Sequence, residues 1–186
     1  MNQSGLVGVL SLALLSCRGS APPRETDEAL LARTDRAATT LATALRGRLT
    51  AAMREGGPAA AMEVCAREAQ ALVATTRRES GVTVGRSSLR LRNPADAAPD
   101  WVDAWLRAQG ERPAAGVNGV RAVSGDRARV LRPIAVEGPC LVCHGPAEAI
   151  PEGVRAALSA RYPEDRATGY APGDLRGALW AEAARR

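Results

Sequence analysis

Lysine and phenylalanine are both absent from this 186-residue sequence, and histidine occurs only once. All 25 basic residues other than histidine are therefore arginine, which removes lysine as a ligand or nucleophile. Aromatic residues make up only 3% of the chain, so its core must be filled by Leu, Val and Ala. Such a core leaves room for a group that is not an amino acid. With 46% hydrophobic and 24% charged residues, the composition predicts one globular domain.

The chain is basic, with a formal net charge of +5, but its arginines are scattered through every segment. No basic run is interleaved with aromatic residues that could stack on bases, so we expect no nucleic-acid partner. A basic surface instead suits an acidic protein partner or an anionic lipid.

The N-terminus carries an apolar run over residues 5–16, too short to span a bilayer and typical of a signal peptide. The run ends in Leu-Leu-Ser-Cys, which resembles the lipobox of bacterial lipoproteins and makes Cys17 the acylated residue. We expect a lipoprotein signal at 1–16, a tether at 17–29, and a protein exported to the periplasmic side. Arg18 follows the cysteine, so the resemblance implies the outer membrane if the cell is Gram-negative. The alternative is a buried N-terminal helix with an incidental cysteine.

Hydrophobic periodicity divides the remaining chain into helices followed by strands, in one domain over 30–186. A 3.6-residue spacing predicts helices over 27–55 and 58–79, separated by Gly-Gly-Pro, and a shorter helix over 99–109. Alternation predicts strands over 82–91, 117–123, 127–136 and 175–181, with a hairpin turn at 124–126. A further short helix is expected over 152–161. This order predicts an α+β fold with long N-terminal helices packed on an antiparallel sheet.

Cys140, Cys143 and His144 form a C-x-x-C-H run, the spacing of covalent c-type haem attachment. Each thiol adds to one haem vinyl group, and the adjacent histidine supplies an iron ligand. A zinc site needs about four ligands, and no second Cys/His pair exists. A thioredoxin-like motif requires a βαβ setting, and a structural disulfide would close a very small loop. We therefore expect haem c, bound near this motif.

The second iron ligand cannot be histidine or lysine, because the one histidine is committed and lysine is absent. Elimination leaves Cys65, Met62, Met53 or a site open to water or gas. Met53 lies beside Gly56, near a helix end, where a ligand is poorly fixed. Met62 and Cys65 are three residues apart and share a helix face. A free helical cysteine is most often an ordinary core residue.

The segments CLVCHG, RYPEDRATGYAPGDLRGALW, MEVCAREA and GRSSLRLRNPADAAPDWVDAWL resemble a family of exported single-haem proteins. That family has been catalogued as a domain of unknown function, and the similarity runs from about Leu30 to Trp180. The resemblance implies a PAS-like α+β fold around the haem. It also implies a cysteine as the distal iron ligand, at the position of Cys65 in MEVCAREA.

Haem propionates require partners, and guanidinium groups match carboxylates in geometry. The candidates are Arg86, Arg90, Arg92 and Tyr170, although any single arginine among so many can be a solvated surface residue. The resemblance and a thiolate/histidine iron favour a redox-responsive haem sensor or accessory protein, with an electron carrier as the alternative. A haem enzyme is the weakest hypothesis, because the sequence has no second histidine that could act as a general acid or base. A sensor would need a separate redox or signalling protein partner.

Overall fold

The computed structural model describes residues 24–186 and has the predicted α+β architecture. The helices are α1 (Asp27–Glu63), α2 (Ala69–Ser80), α3 (Asp100–Gln109), α4 (Leu141–His144) and α5 (Glu152–Arg161). The strands are β1 (Thr83–Ser87), β2 (Val120–Ser124), β3 (Arg127–Ala135) and β4 (Leu175–Ala184). Within these residues no helix is long and apolar enough to cross a membrane. The signal at 1–16 and Cys17 lie outside the described residues.

Helix α1 begins at an N-cap threonine and bends where the sequence predicted its end. The Thr26 side chain accepts a hydrogen bond from the Ala29 backbone N–H, which satisfies an otherwise unpaired donor of the first turn. Gly56 and Gly57 have non-helical backbone angles, and Gly57 has a φ of 63° that favours glycine. The predicted break is therefore confirmed as a kink inside α1. The helix includes residues 27–29, which lie both in the predicted helix and in the predicted tether.

The predicted uninterrupted helix over 58–79 is wrong in its middle. A π-helical segment, Val64–Glu68, separates α1 from α2 and contains Cys65. Such segments widen the helix by one residue and are frequent at functional sites. Helix α2 ends as predicted at Gly81, whose φ of 64° closes the helix in the left-handed conformation.

The four strands form one antiparallel sheet in the order β1-β4-β3-β2. The predicted hairpin is confirmed as β2 and β3, with Ser124 paired to Arg127. The extension of the first strand to Leu89 and Leu91 is wrong, because β1 ends at Ser87. Beyond it, the Ser88 hydroxyl bonds to both the N–H and the carbonyl of Arg90, which folds the backbone into a tight turn.

Helices cover both faces of the sheet. One face packs against α1 and α2 through a buried cluster comprising Leu30, Ala37, Ala38, Leu41, Val73, Val82, Val84, Ala128, Val130, Leu179, Ala181 and Ala183. The other face packs against α3 through Val102, Leu106, Leu131, Ala178 and Trp180. Past the end of β3 the chain leaves the sheet and enters the C-x-x-C-H segment, which therefore sits at the end where β4 begins.

Candidate haem site

The C-x-x-C-H segment lies between two small apolar clusters. A 3₁₀ turn, Gly138–Cys140, leads directly into α4, so both cysteines and His144 fall within two successive turns. Cys140 packs beside Val136, Ala167 and Tyr170, whereas Cys143 packs beside Met62 and helix α5. Both thiols are free and only partly buried. The segment thus presents two unbonded thiols and an imidazole from one short stretch of chain.

His144 is held in one orientation by the backbone of a later loop. Its Nδ1 lies 2.6 Å from the Ala167 carbonyl oxygen, an acceptor, so Nδ1 carries the proton and donates it. Burial, with the positive charges of Arg176 and Arg92, lowers the pKa of His144 to about 3. The ring is therefore neutral, and Nε2 keeps an unprotonated lone pair. This is the arrangement in which histidine ligates a metal.

Arg92 fastens the loop that orients His144. Its Nε donates to Asp165 Oδ2 at 2.9 Å, and its Nη2 donates to the carbonyls of Cys143 and Ala167. The side chain is only 8% exposed, so these charge-assisted bonds are largely shielded from water. Arg92, a predicted propionate contact, lies at the site with its donors engaged by protein groups.

The other predicted propionate contacts have different partners. Arg86 lies 3.6 Å from Asp96 Oδ2 in a half-buried ion pair. The Arg90 guanidinium stacks over the Tyr170 ring at 4.2 Å and donates to the carbonyls of Arg166 and Thr168. Tyr170 is buried and meets the His144 ring edge-on, with centroids 6.3 Å apart.

Cys65 lies on the π-helical segment that packs toward the same site. Burial raises the pKa of the Cys143 thiol, Arg92 opposes this, and Cys65 is close enough to raise it further. Burial and Cys65 also raise the pKa of Tyr162, the residue that ends α5. Met62, three residues earlier, packs in the same apolar cluster as Cys143 and Tyr162, so the segment that carries Cys65 runs beside them. The structure therefore brings Cys65 into the surroundings of the C-x-x-C-H segment.

The two methionine alternatives are placed differently. Met62 is 7% exposed and packs against Ile150, Val154 and Leu158, so its side chain is part of the apolar cluster beneath α5. Met53 lies three residues before the kink at Gly56, on the other side of the break from Cys65.

Three functional groups were missed from the sequence. The Ala167 carbonyl is a backbone group, so the identity of the residue gives no indication of its contact with His144. Tyr162 and Arg176 lie within quoted segments of the resemblance, but nothing in their local pattern separates them from other residues. Arg176 contributes more than any other neighbouring charge to the lowered pKa of His144.

The cysteines Cys65, Cys140 and Cys143 are free rather than disulfide-bonded. Among residues 24–186 no group of three or more His, Cys, Asp or Glu side chains could hold a metal ion. The donors present are two thiols followed by a neutral histidine, whereas a tetrahedral zinc site takes about four protein ligands.

The fold and the site define an α+β domain with a C-x-x-C-H segment at one end of a helix-covered antiparallel sheet. The chain belongs to the Tll0287-like family, whose model matches residues 23–182. Its fold is similar to the crystal structure of the cyanobacterial haem protein Tll0287, with a TM-score of 0.60. The two chains are 20% identical, and the similarity covers 83% of this chain and 94% of that one. No curated protein matches the chain.

Proposed function

We propose that this protein binds one haem c, attached through Cys140 and Cys143, with His144 as the proximal iron ligand. The observation that carries the proposal is the geometry of His144. Its Nδ1 N–H donates a hydrogen bond to the Ala167 carbonyl at 2.6 Å, which leaves Nε2 with a free lone pair, and two free thiols precede it in the same segment. The family includes a protein described as a haem protein, which supports the same cofactor here.

Cys65 is the proposed distal ligand. It stands on the π-helical segment just after Met62, which packs against Cys143, and the chain offers no second histidine and no lysine. The bound haem would supply one-electron chemistry at an iron whose potential is set largely by its axial ligands. A thiolate favours the ferric state, so a low midpoint potential is expected.

A PAS-like, redox-responsive sensor or accessory protein is the function that this site supports best. The Tyr170 N–H donates to the His144 carbonyl at 2.9 Å, so the loop that frames the motif is bonded directly to the proximal ligand. Such a loop can transmit a change at the iron to the surface, where a redox or signalling partner would dock. An electron carrier is the alternative, since the partly buried Cys140 and Cys143 leave one edge of the site near solvent.

Export and membrane attachment form the remaining part of the proposal. A lipid on Cys17 would tether the domain on the periplasmic side, in the outer membrane of a Gram-negative cell. Lipoproteins carry several acyl chains, and more than one chain is needed for firm attachment. Fractionation tests this point: Cys17→Ser should accumulate as unprocessed precursor, and a wild-type protein found wholly in the soluble periplasm would contradict it.

The central test is covalent haem attachment. The protein is expressed with and without a cytochrome c maturation system, and denaturing gels are stained for haem peroxidase activity. Wild type should stain only with the maturation system, and the double variant Cys140→Ala, Cys143→Ala should lose the stain. Cys65→Ser serves as the matched control, because it removes a thiol without touching the attachment motif. An unstained wild type, or a double variant that keeps its stain, would end the haem c proposal.

A redox titration followed optically, with and without CO, distinguishes the sensor hypothesis from the electron-carrier hypothesis. A low reversible potential and slow CO binding support the sensor. Fast electron exchange with a small soluble cytochrome, without CO binding, supports the carrier.

A further inference from the structure

A cavity of about 190 Å³ lies on the α3 face of the sheet, opposite the face covered by α1. It is lined by the C-terminal end of α3, the turn after β1, the loop before β4 and the start of β4. His144 is not part of its lining. The cavity therefore adjoins the surroundings of the C-x-x-C-H segment through Tyr170 and Arg176 in its wall, without being lined by the histidine itself.

Arg176 is a partly buried cation in this wall without a matching anion. Its Nη1 donates to the Arg90 carbonyl at 3.3 Å, and its guanidinium lies 5.4 Å from the Tyr170 ring centroid. No carboxylate of residues 24–186 forms an ion pair with it. Burial lowers the pKa of this guanidinium but leaves arginine charged. Removing part of a charged group from water in this way costs free energy unless an opposite charge reaches it.

Two further arginines line the same cavity. Arg90 is stacked on Tyr170, and Arg112 lies at the rim with its Nε bonded to the Gln109 carbonyl at 2.7 Å. The lining carboxylates are those of Glu111 and Asp174, and Asp174 accepts the Ala171 N–H at 2.7 Å. Within the described chain neither carboxylate pairs with a guanidinium, so the three arginines leave the cavity with an excess of positive charge.

We propose that this cavity binds a small organic carboxylate, its head group on Arg176 and Arg112 and its carbon chain against Leu89 and Leu106. A guanidinium presents two parallel donors that match the two oxygens of a carboxylate. The apolar side chains of Leu89 and Leu106 face the same space. Since pockets for drug-sized ligands measure about 300–1,000 Å³, this smaller cavity suits an acid of only a few carbons.

The wall of the cavity is bonded to the C-x-x-C-H segment, which gives the ligand a route to the iron. The Tyr170 and Gly169 N–H groups donate to the carbonyls of His144 and Gly145 at 2.9 and 2.7 Å. An anion bound to Arg176 would offset the positive charge of this residue, which otherwise lowers the pKa of His144. If the proposed haem function holds, occupancy of the cavity therefore stabilises the ferric state and lowers the midpoint potential.

Isothermal titration calorimetry on the purified holoprotein tests the site, with acetate, butyrate and succinate as probes and inorganic phosphate as the competing anion class. Saturable binding of at least one carboxylate is expected, and Arg176→Met should weaken it about tenfold or more. Arg112→Gln, at the exposed rim, should weaken it by a smaller factor and covers the case in which Arg176→Met does not fold. Arg121→Gln, which removes an equal charge from the outer strand β2, should leave the affinity unchanged.

Absence of saturable carboxylate binding, or equal affinity in wild type and both cavity variants, would overturn the site. A preference for phosphate would overturn the ligand class. A haem propionate found on Arg176 in a holoprotein crystal structure would also overturn the ligand class. The potential of the haem-stained protein is then measured with and without the tightest carboxylate, and a decrease that Arg176→Met abolishes supports the coupling. If the protein does not stain for haem, the proposed function fails, and the same calorimetry on the haem-free protein still tests the cavity.

Discussion

At His144 the position of the ring proton depends on one backbone oxygen, that of Ala167. Arg92 donates to this same carbonyl and to that of Cys143, and it is anchored in turn by Asp165. The chain of contacts therefore fixes both the carbonyl that orients the imidazole and the helix turn that carries the neighbouring thiol. Second partners of this kind commonly set the orientation and basicity of a histidine ligand.

In the ferric holoprotein, thiolate ligation gives a low-spin spectrum with a sulfur-to-iron charge-transfer band. Cys65→Ser should remove that band and raise the midpoint potential, because the electron donation that favours ferric iron is lost. Optical and electron paramagnetic resonance spectra of wild type and variant provide the measurement.

Met62→Leu is the matched control for Cys65→Ser. Leucine preserves volume in the cluster formed with Ile150, Val154 and Leu158, so the fold should be retained at a cost under about 1.5 kcal/mol. The charge-transfer band should persist in this variant. If Cys65→Ser leaves the spectrum unchanged, Cys65 returns to the role of a core cysteine, and loss of a methionine-type band in Met62→Leu would transfer the ligand role to Met62.

Much of this site was accessible from residue identity, and the inaccessible parts share a cause. Cys140, Cys143 and His144 are adjacent in sequence, so their proximity follows from covalent connection alone. Arg92 and Tyr170 were named as propionate contacts, and the structure places both beside His144. The Ala167 carbonyl and the charge of Arg176 act across loops that only tertiary packing brings together, and neither has a local sequence signal.

Among the elements, the helices were predictable because their apolar residues recur along a single buried stripe. The kink at Gly56 and Gly57 was predictable too, because glycine accepts the backbone angles found there. The π-helical segment was not, since one extra residue in a turn changes hydrogen bonding without altering the apolar pattern. Leu89 and Leu91 continued the alternation of a strand, but local bonding by the Ser88 hydroxyl overrode that pattern.

The pairing of β1 with β4 gives an element-scale prediction at Gly85. This residue lies opposite Trp180, and a Cβ placed on it would stand 2.5 Å from the Trp180 Cζ2 atom. Trp180 cannot easily move, because it is 5% exposed and its Nε1 donates to the Ser87 hydroxyl at 3.0 Å. Gly85→Ala should therefore destabilise the protein by about 1–3 kcal/mol in urea unfolding.

Gly47→Ala provides the opposite sign in the same assay. Gly47 lies inside α1 with nothing within 4 Å of an added Cβ, so alanine fits without a clash. The gain in helix propensity should stabilise the protein by about 0.5–1 kcal/mol. A Gly85→Ala variant as stable as wild type would show that the tryptophan can move aside, contrary to the tight β1–β4 contact described above.

At the scale of the whole molecule, the start of α1 is joined to the end of β4. Arg33 donates twice to the Glu25 carboxylate at 2.9 Å, and the Arg186 backbone N–H donates to the same group at 3.1 Å. Arg185 donates to the Glu25 carbonyl and to Asp27. The long helix is therefore fixed to the sheet at the end remote from the C-x-x-C-H segment, while the kink and the π-helical segment shape its other end.

This junction predicts how stability responds to acid. The hydrogen bonds from Arg33, with further help from Arg186 and despite some burial, lower the pKa of Glu25 from 4.5 to about 2. Since the folded pKa is the lower one, the contribution of Glu25 is complete above about pH 4.5 and is lost as the pH falls toward 2. Glu25→Gln should lower Tm by roughly 2–4 °C at pH 7, and the difference from wild type should disappear near pH 2.

Glu28→Gln removes an equal charge from the exposed first turn of α1, where the described residues offer it no arginine partner. Thermal unfolding of the three proteins across this pH range measures the effect. A Glu25→Gln deficit that stays constant down to pH 2, or an equal deficit in Glu28→Gln, would show that the junction does not hold the helix to the sheet through this carboxylate.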